Sequence, residues 1–132
     1  MSPIEVTIQS LRINPIHNKW QLMFENQAGH YLPVFLEESQ ANLIRQEMIK
    51  PGSVELGDIE IPSIDFKANR LESVIINDLK GNILKTRLII QHDNEYLQID
   101  CPVEKAIVLA LREGVPILME DKNIKNKANW EY

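Results

Sequence analysis

The passage from Tyr96 to Gly114 constrains the fold more than any other stretch of the chain. Val103, Ala106, Ile107, Ala110 and Leu111 fall at i, i+3, i+4, i+7 and i+8, the apolar stripe of a helix laid against a core. Pro102 suits the first helical turn, where its missing N–H costs nothing. Glu104 complements the positive end of the helix dipole and Arg112 the negative end. Gly114 stands where a left-handed stop is expected, with Pro116 just beyond. Upstream, Tyr96 to Ile99 reads as a strand. Downstream, Val115 to Met119 is short and apolar, as a strand returning to a sheet would be. A strand, a helix and a strand in immediate succession need a sheet for the helix to cover.

The rest of the chain supplies that sheet. Ile4, Val6 and Ile8 alternate with polar neighbours, and the phase then shifts to Leu11 and Ile13, which predicts a bulge or burial on both faces. After a turn beginning at Asn14-Pro15 and running through His17, a second strand follows at Trp20, Leu22 and Phe24. Tyr31 to Leu36 is a third, and Pro33 places it at an edge or a bulge. Glu37 to Lys50 reads as a helix with Ala41, Leu43, Ile44 and Met48 on its apolar face, stopped by Pro51-Gly52. Ser53 to Lys67 is either a short irregular helix or a loop with apolar anchors that include Ile59, Ile61 and Ile64. Leu71 to Ile76, Ile83 to Gln91 and Tyr96 to Ile99 form an antiparallel meander, because the turns at Asn77 to Asn82 and His92 to Glu95 are too short for crossover helices. The expected fold is α+β: a mixed, largely antiparallel sheet of about six or seven strands with two main helices, near 37–50 and 102–113. One domain is expected over 1–120, followed by a polar tail over 121–132 in which Trp130 and Tyr132 are the groups able to dock.

Composition narrows the class. The 132 residues are 44% hydrophobic and 25% charged, ordinary for a folded domain. The net charge of −5 argues against a broad basic face for nucleic acid. The single cysteine, Cys101, fits a reducing compartment, and no signal peptide or membrane-length apolar run is evident, so a cytoplasmic chain without membrane contact is expected.

Three stretches together resemble the bifunctional nuclease domain family. The first is Tyr31-Leu32-Pro33-Val34-Phe35-Leu36 followed by Glu37-Glu38-Ser39-Gln40-Ala41. The second is Val74 to Asn82, similar to that family's "V-I-DL-DG" hairpin. The third is Ile99-Asp100-Cys101-Pro102-Val103-Glu104-Lys105-Ala106-Ile107, similar to its "IDARPSDAIALA" run, with Pro116-Ile117 matching a following "PI". The resemblance spans about Val6 to Asp121 and implies DNase and RNase activity. The chain departs from the pattern where the family reads Arg-Pro-Ser-Asp; here stand Pro102, Val103, Glu104 and Lys105. Where the family shows "THDL", this chain has Leu56, Gly57, Asp58 and Ile59. Asp58 and Asp100 alone carry over.

Phosphodiester hydrolysis with a metal uses clustered carboxylates around one or two divalent ions. Asp58, Asp100 and Glu104 are the candidate catalytic residues, and Asp58 and Asp100 the candidate ligands of Mg²⁺ or another divalent metal. Simpler roles compete: Asp100 as a helix N-terminal cap or first-turn acid, Glu104 as a dipole-matched surface acid, Asp58 as a turn residue. Cys101 reads as a small buried contact, with a thiolate stabilised by the helix start as the alternative. No histidine pair has metal spacing. Three functions follow: a metal-dependent DNase or RNase acting on DNA or RNA, a non-catalytic binding or homodimerisation module of the same fold, and a small-molecule-binding α+β domain. The module reading expects an apolar interface patch, with Tyr31 to Leu36 as its candidate.

Overall fold

The computed structural model of the chain describes residues 3–16, 18–61, 68–79 and 83–120. His17, Ile64 and Lys67, the 80–82 part of the expected meander turn and the tail with Trp130 and Tyr132 lie outside the described residues.

The elements run β1 (Ile4–Asn14), β2 (Lys19–Glu25), β3 (Tyr31–Leu36), α1 (Glu38–Ile49), α2 (Leu56–Ile59), β4 (Arg70–Leu79), β5 (Ile83–His92), β6 (Glu95–Asp100), α3 (Val103–Glu113) and β7 (Ile117–Met119). The strands form one sheet in the order β3-β2-β1-β7-β4-β5-β6. Every neighbouring pair is antiparallel except β4 with β7. The α+β expectation, with a mixed, largely antiparallel sheet and two main helices, holds.

Local chemistry explains most of this. The phase shift in β1 is a register shift between Ile8 and Ser10, which keeps Ile8 opposite Phe24 and Leu11 opposite Leu22. Pro33 lies in β3, an edge strand, where a missing donor is tolerated. The meander of β4, β5 and β6 forms as read, but β4 runs further than expected: Asn77 to Leu79 continue the strand and pair with Lys85 to Ile83. Ladder hydrogen bonds won there over the turn preference of Asn and Asp. The ambiguous stretch after α1 contains the single turn α2.

The two long helices share a core with the sheet. Phe24, Leu22, Leu36, Val74, Ile76, Leu88, Ile90 and Met119 from the strands meet Ala41, Ile44, Ala106, Ile107 and Ala110 from the helices, all within 2% of full burial. A stripe of that kind supplies most of the fold's stabilisation, at about 25 cal/mol per Å² of apolar surface removed from water. In α3 five consecutive residues, Ala106 to Ala110, are buried, and Leu111 at the end of the expected stripe is exposed. The helix touches the sheet, α1 and α2, so more than one side of it is covered. The apolar face of α1 is also rotated from expectation. Met48 is 41% exposed, and the buried residue of that turn is Glu47.

Candidate functional site

Two polar joints hold α1 against α3, and they define the geometry of the region where the family-like motifs meet. At one end Gln40 Nε2 donates to Glu104 Oε2 at 3.0 Å. Gln40 also accepts the Glu37 N–H through Oε1 at 2.9 Å, completing the capping box that starts α1. At the other end Arg112 Nη2 donates to Glu47 Oε1 at 2.8 Å. The first joint links the two N-terminal turns and the second the two C-terminal turns, so α1 and α3 run side by side in the same direction.

The segment after α1 straps along α3 the opposite way. Arg112 Nη2 donates to the Val54 carbonyl at 2.7 Å, and Lys105 Nζ, at the other end of the helix, donates to the Glu60 carbonyl at 3.2 Å. Glu47 closes the near end of the strap by accepting the Gly52 N–H at 2.7 Å and the Val54 N–H at 3.4 Å. Gly52 holds φ at +82°, which a glycine adopts without strain. Burial pushes the Glu47 carboxyl up. The Arg112 guanidinium and the two amides outweigh that, and its pKa lies below the usual carboxylate value.

The three carboxylates singled out in the sequence occupy different elements. Asp58 is exposed in α2. Asp100 is the last residue of β6, exposed and directly opposite Arg87 of β5. Glu104 is in the first turn of α3, half-buried, with an oxygen engaged by Gln40. Among the described residues no three His, Cys, Asp or Glu side chains gather in a group able to hold a metal ion, so the expected convergence of Asp58, Asp100 and Glu104 is not formed. Asp100 does not cap α3 either, because the N-cap position is Pro102, which has no side-chain acceptor.

Cys101 is 7% exposed, and its thiol donates to the Pro102 carbonyl at 3.4 Å. Burial raises its pKa to about 12, with Glu104 adding to the rise and Lys105 opposing it, so the side chain is a buried thiol and not a stabilised thiolate. A surface cleft of about 720 Å³ lies between the start of β4 and the end of α3, lined by residues including Asn69, Arg70, Glu72 and Glu113. Its charged rim is unlike the deep apolar pocket that a small-molecule domain would present.

A family model described as the bifunctional nuclease domain matches residues 22–130. This chain belongs to the bifunctional nuclease domain family. The match agrees with the resemblance carried by the β3–α1, β4–β5 and β6–α3 motifs. It begins in β2, although β1 lies in the middle of the same sheet, between β2 and β7. Comparison with curated proteins gave no match. In this bifunctional nuclease domain the two polar joints escaped the sequence reading. Glu47 left a signal, a carboxylate on the apolar side of α1 one turn from Ile44. The Glu37-x-x-Gln40 spacing was a second, the signature of a capping box. No helix among the described residues is long and apolar enough to cross a membrane.

Proposed function

We propose that this bifunctional nuclease-like domain acts as a binding or dimerisation module, with the hydrolytic positions of its family given over to structural contacts. The supporting observation is the bond between Gln40 and Glu104. The carboxylate at the head of α3 is spent on joining two helices. The Arg-Pro-Ser-Asp places hold Pro102, Val103, Glu104 and Lys105, and Lys105 is likewise spent on the Glu60 carbonyl. Activation of water and neutralisation of a phosphate need groups left free to meet substrate.

Family membership supports a second reading, a metal-dependent DNase or RNase that keeps Asp58 and Asp100. One experiment separates the two. Single- and double-stranded DNA and RNA are incubated with the protein and Mg²⁺ or Mn²⁺, beside an Asp100→Ala variant. The module reading expects no cleavage above background by either protein. Metal-dependent cleavage by the wild type that Asp100→Ala abolishes would establish the nuclease reading instead.

A further inference from the structure

The sheet has two free edges, and they are unlike. At one, β3 carries Pro33, which has no N–H to offer an incoming strand. At the other, β6 is exposed along nearly its whole length, with Tyr96 65% exposed and Leu97 40%. Proline, lysine and bulges are the common ways to blunt an edge. β6 has no proline and no lysine, and it pairs with β5 without a register shift.

The direction in which β6 presents its backbone follows from one bond. The Cys101 N–H donates to the Thr86 carbonyl at 3.0 Å, one step beyond the Arg87–Asp100 pair. Thr86 and Cys101 are therefore a hydrogen-bonded pair, and such pairs alternate along an antiparallel ladder. Ile99 opposite Leu88 and Leu97 opposite Ile90 are also bonded inward. Tyr96, Gln98 and Asp100 belong to the pairs in between, so their N–H and C=O groups point away from the sheet.

The side chains determine which chain fits those groups. Asp93 in the turn before β6, Glu95 at its start and Asp100 at its end are all exposed, and no lysine or arginine lies between them. Neither Glu95 nor Asp100 is in an ion pair among the described residues. Arg87, directly opposite Asp100, gives its Nη1 to Gln98 Oε1 at 2.7 Å. Between the acids, Leu97 and Ile99 lie on the helix side of the sheet, in register with Ile90 and Leu88 of the core.

We infer, on the module reading, that β6 is a docking edge for an extended, basic segment of another protein, which adds antiparallel as an eighth strand. The segment's residues opposite Tyr96, Gln98 and Asp100 share about six backbone hydrogen bonds with them. A lysine or arginine opposite Asp100 makes a cross-strand ion pair, and one opposite Tyr96 lies against an exposed aromatic ring. Valine or isoleucine at the two intervening positions covers Leu97 and Ile99. The occupant is thus alternately cationic and apolar. Charge decides against β6 of a second copy, which would bring another Asp93, Glu95 and Asp100 to an edge already carrying these acids.

The interface is small, so binding belongs to the weak class. The probe is the blocked peptide Thr-Lys-Val-Thr-Val-Arg-Lys, added to the isotope-labelled full chain, with amide solvent exchange read by NMR. In the free protein the Tyr96, Gln98 and Asp100 amides should exchange freely and those of Leu97 and Ile99 slowly. Peptide at about 1 mM, against a Kd on the order of 100 μM, should slow the first three about tenfold. Glutamate in place of each lysine and arginine of the peptide should remove that protection. N-methylation of its central threonine, which deletes a backbone donor and keeps every charge, should remove it too. Glu95→Lys in the protein should weaken binding about threefold. Absence of protection at the highest peptide concentration overturns the inference, as does protection that survives the glutamate or N-methyl change. Amides already protected in the free chain and released on dilution would assign the edge to a second copy and overturn it as well. Nucleic-acid cleavage is assayed on the same sample. Cleavage together with protection refutes the module reading and leaves the docking edge standing, whereas neither cleavage nor protection refutes the docking edge alone.

Discussion

Glu47 and Arg112 form an ion pair at 2.8 Å between α1 and α3, with the glutamate side chain 1% exposed and the arginine 18%. A buried pair of this kind offers little net stability over an apolar pair of the same shape, yet breaking it is costly. Here it also satisfies the Gly52 and Val54 amides and the Val54 carbonyl. It fixes where the chain turns after α1 and how the strap lies on α3.

Removing one member of that pair leaves an uncompensated buried charge. Arg112→Met should destabilise the domain by about 3–5 kcal/mol in denaturant titration. Glu47→Leu combined with Arg112→Met should recover a large part of the loss. A double variant as unstable as Arg112→Met would show that the strap contacts, and not the orphaned carboxylate, set the cost.

The same carboxylate makes stability depend on pH. Its folded-state pKa is lowered, so its contribution is present above the unfolded-state value and is lost as pH falls through the folded value. Unfolding free energy measured from neutral pH down through the carboxylate range should decline. Glu47→Gln should decline less steeply over that acid range.

Gln40 serves two partners, the Glu37 N–H and the Glu104 carboxylate. Gln40→Ala should cost about 1 kcal/mol, the worth of a cap. Gln40→Glu keeps an acceptor for Glu37 and sets a second negative charge against Glu104. It should cost more than the alanine variant at low salt, with the excess shrinking as salt is added.

Gly114 ends α3 at φ +66° and ψ +33°. A Cβ there would meet nothing within 4 Å, so the penalty for Gly114→Ala is conformational and not steric. It should lower stability by about 1 kcal/mol, and Gly114→Asn by less.

Asp100 is exposed, and the N-cap it was expected to fill is Pro102. Asp100→Ala should therefore change stability by less than about 0.5 kcal/mol in denaturant titration. A larger loss would point to a contact with α3 or Arg87 that the static geometry does not contain.

The sequence by itself determined what depends on near neighbours in the chain. The helix from Val103 with its stop at Gly114, the bulge in β1, the edge position announced by Pro33 and the short-turn meander were all legible. Their energetics lie within a few residues of one another. The family was legible too, because its motifs keep their order along the chain. Tertiary structure alone decided the insertion of β7 between β1 and β4, parallel to β4. It also put Glu47 in the core in place of Met48, and it set Asp58, Asp100 and Glu104 on separate elements. An isolated helix gains from turning methionine inward. The choice goes to glutamate only because Arg112, 65 residues away, arrives with a guanidinium that needs a carboxylate in a place closed to water.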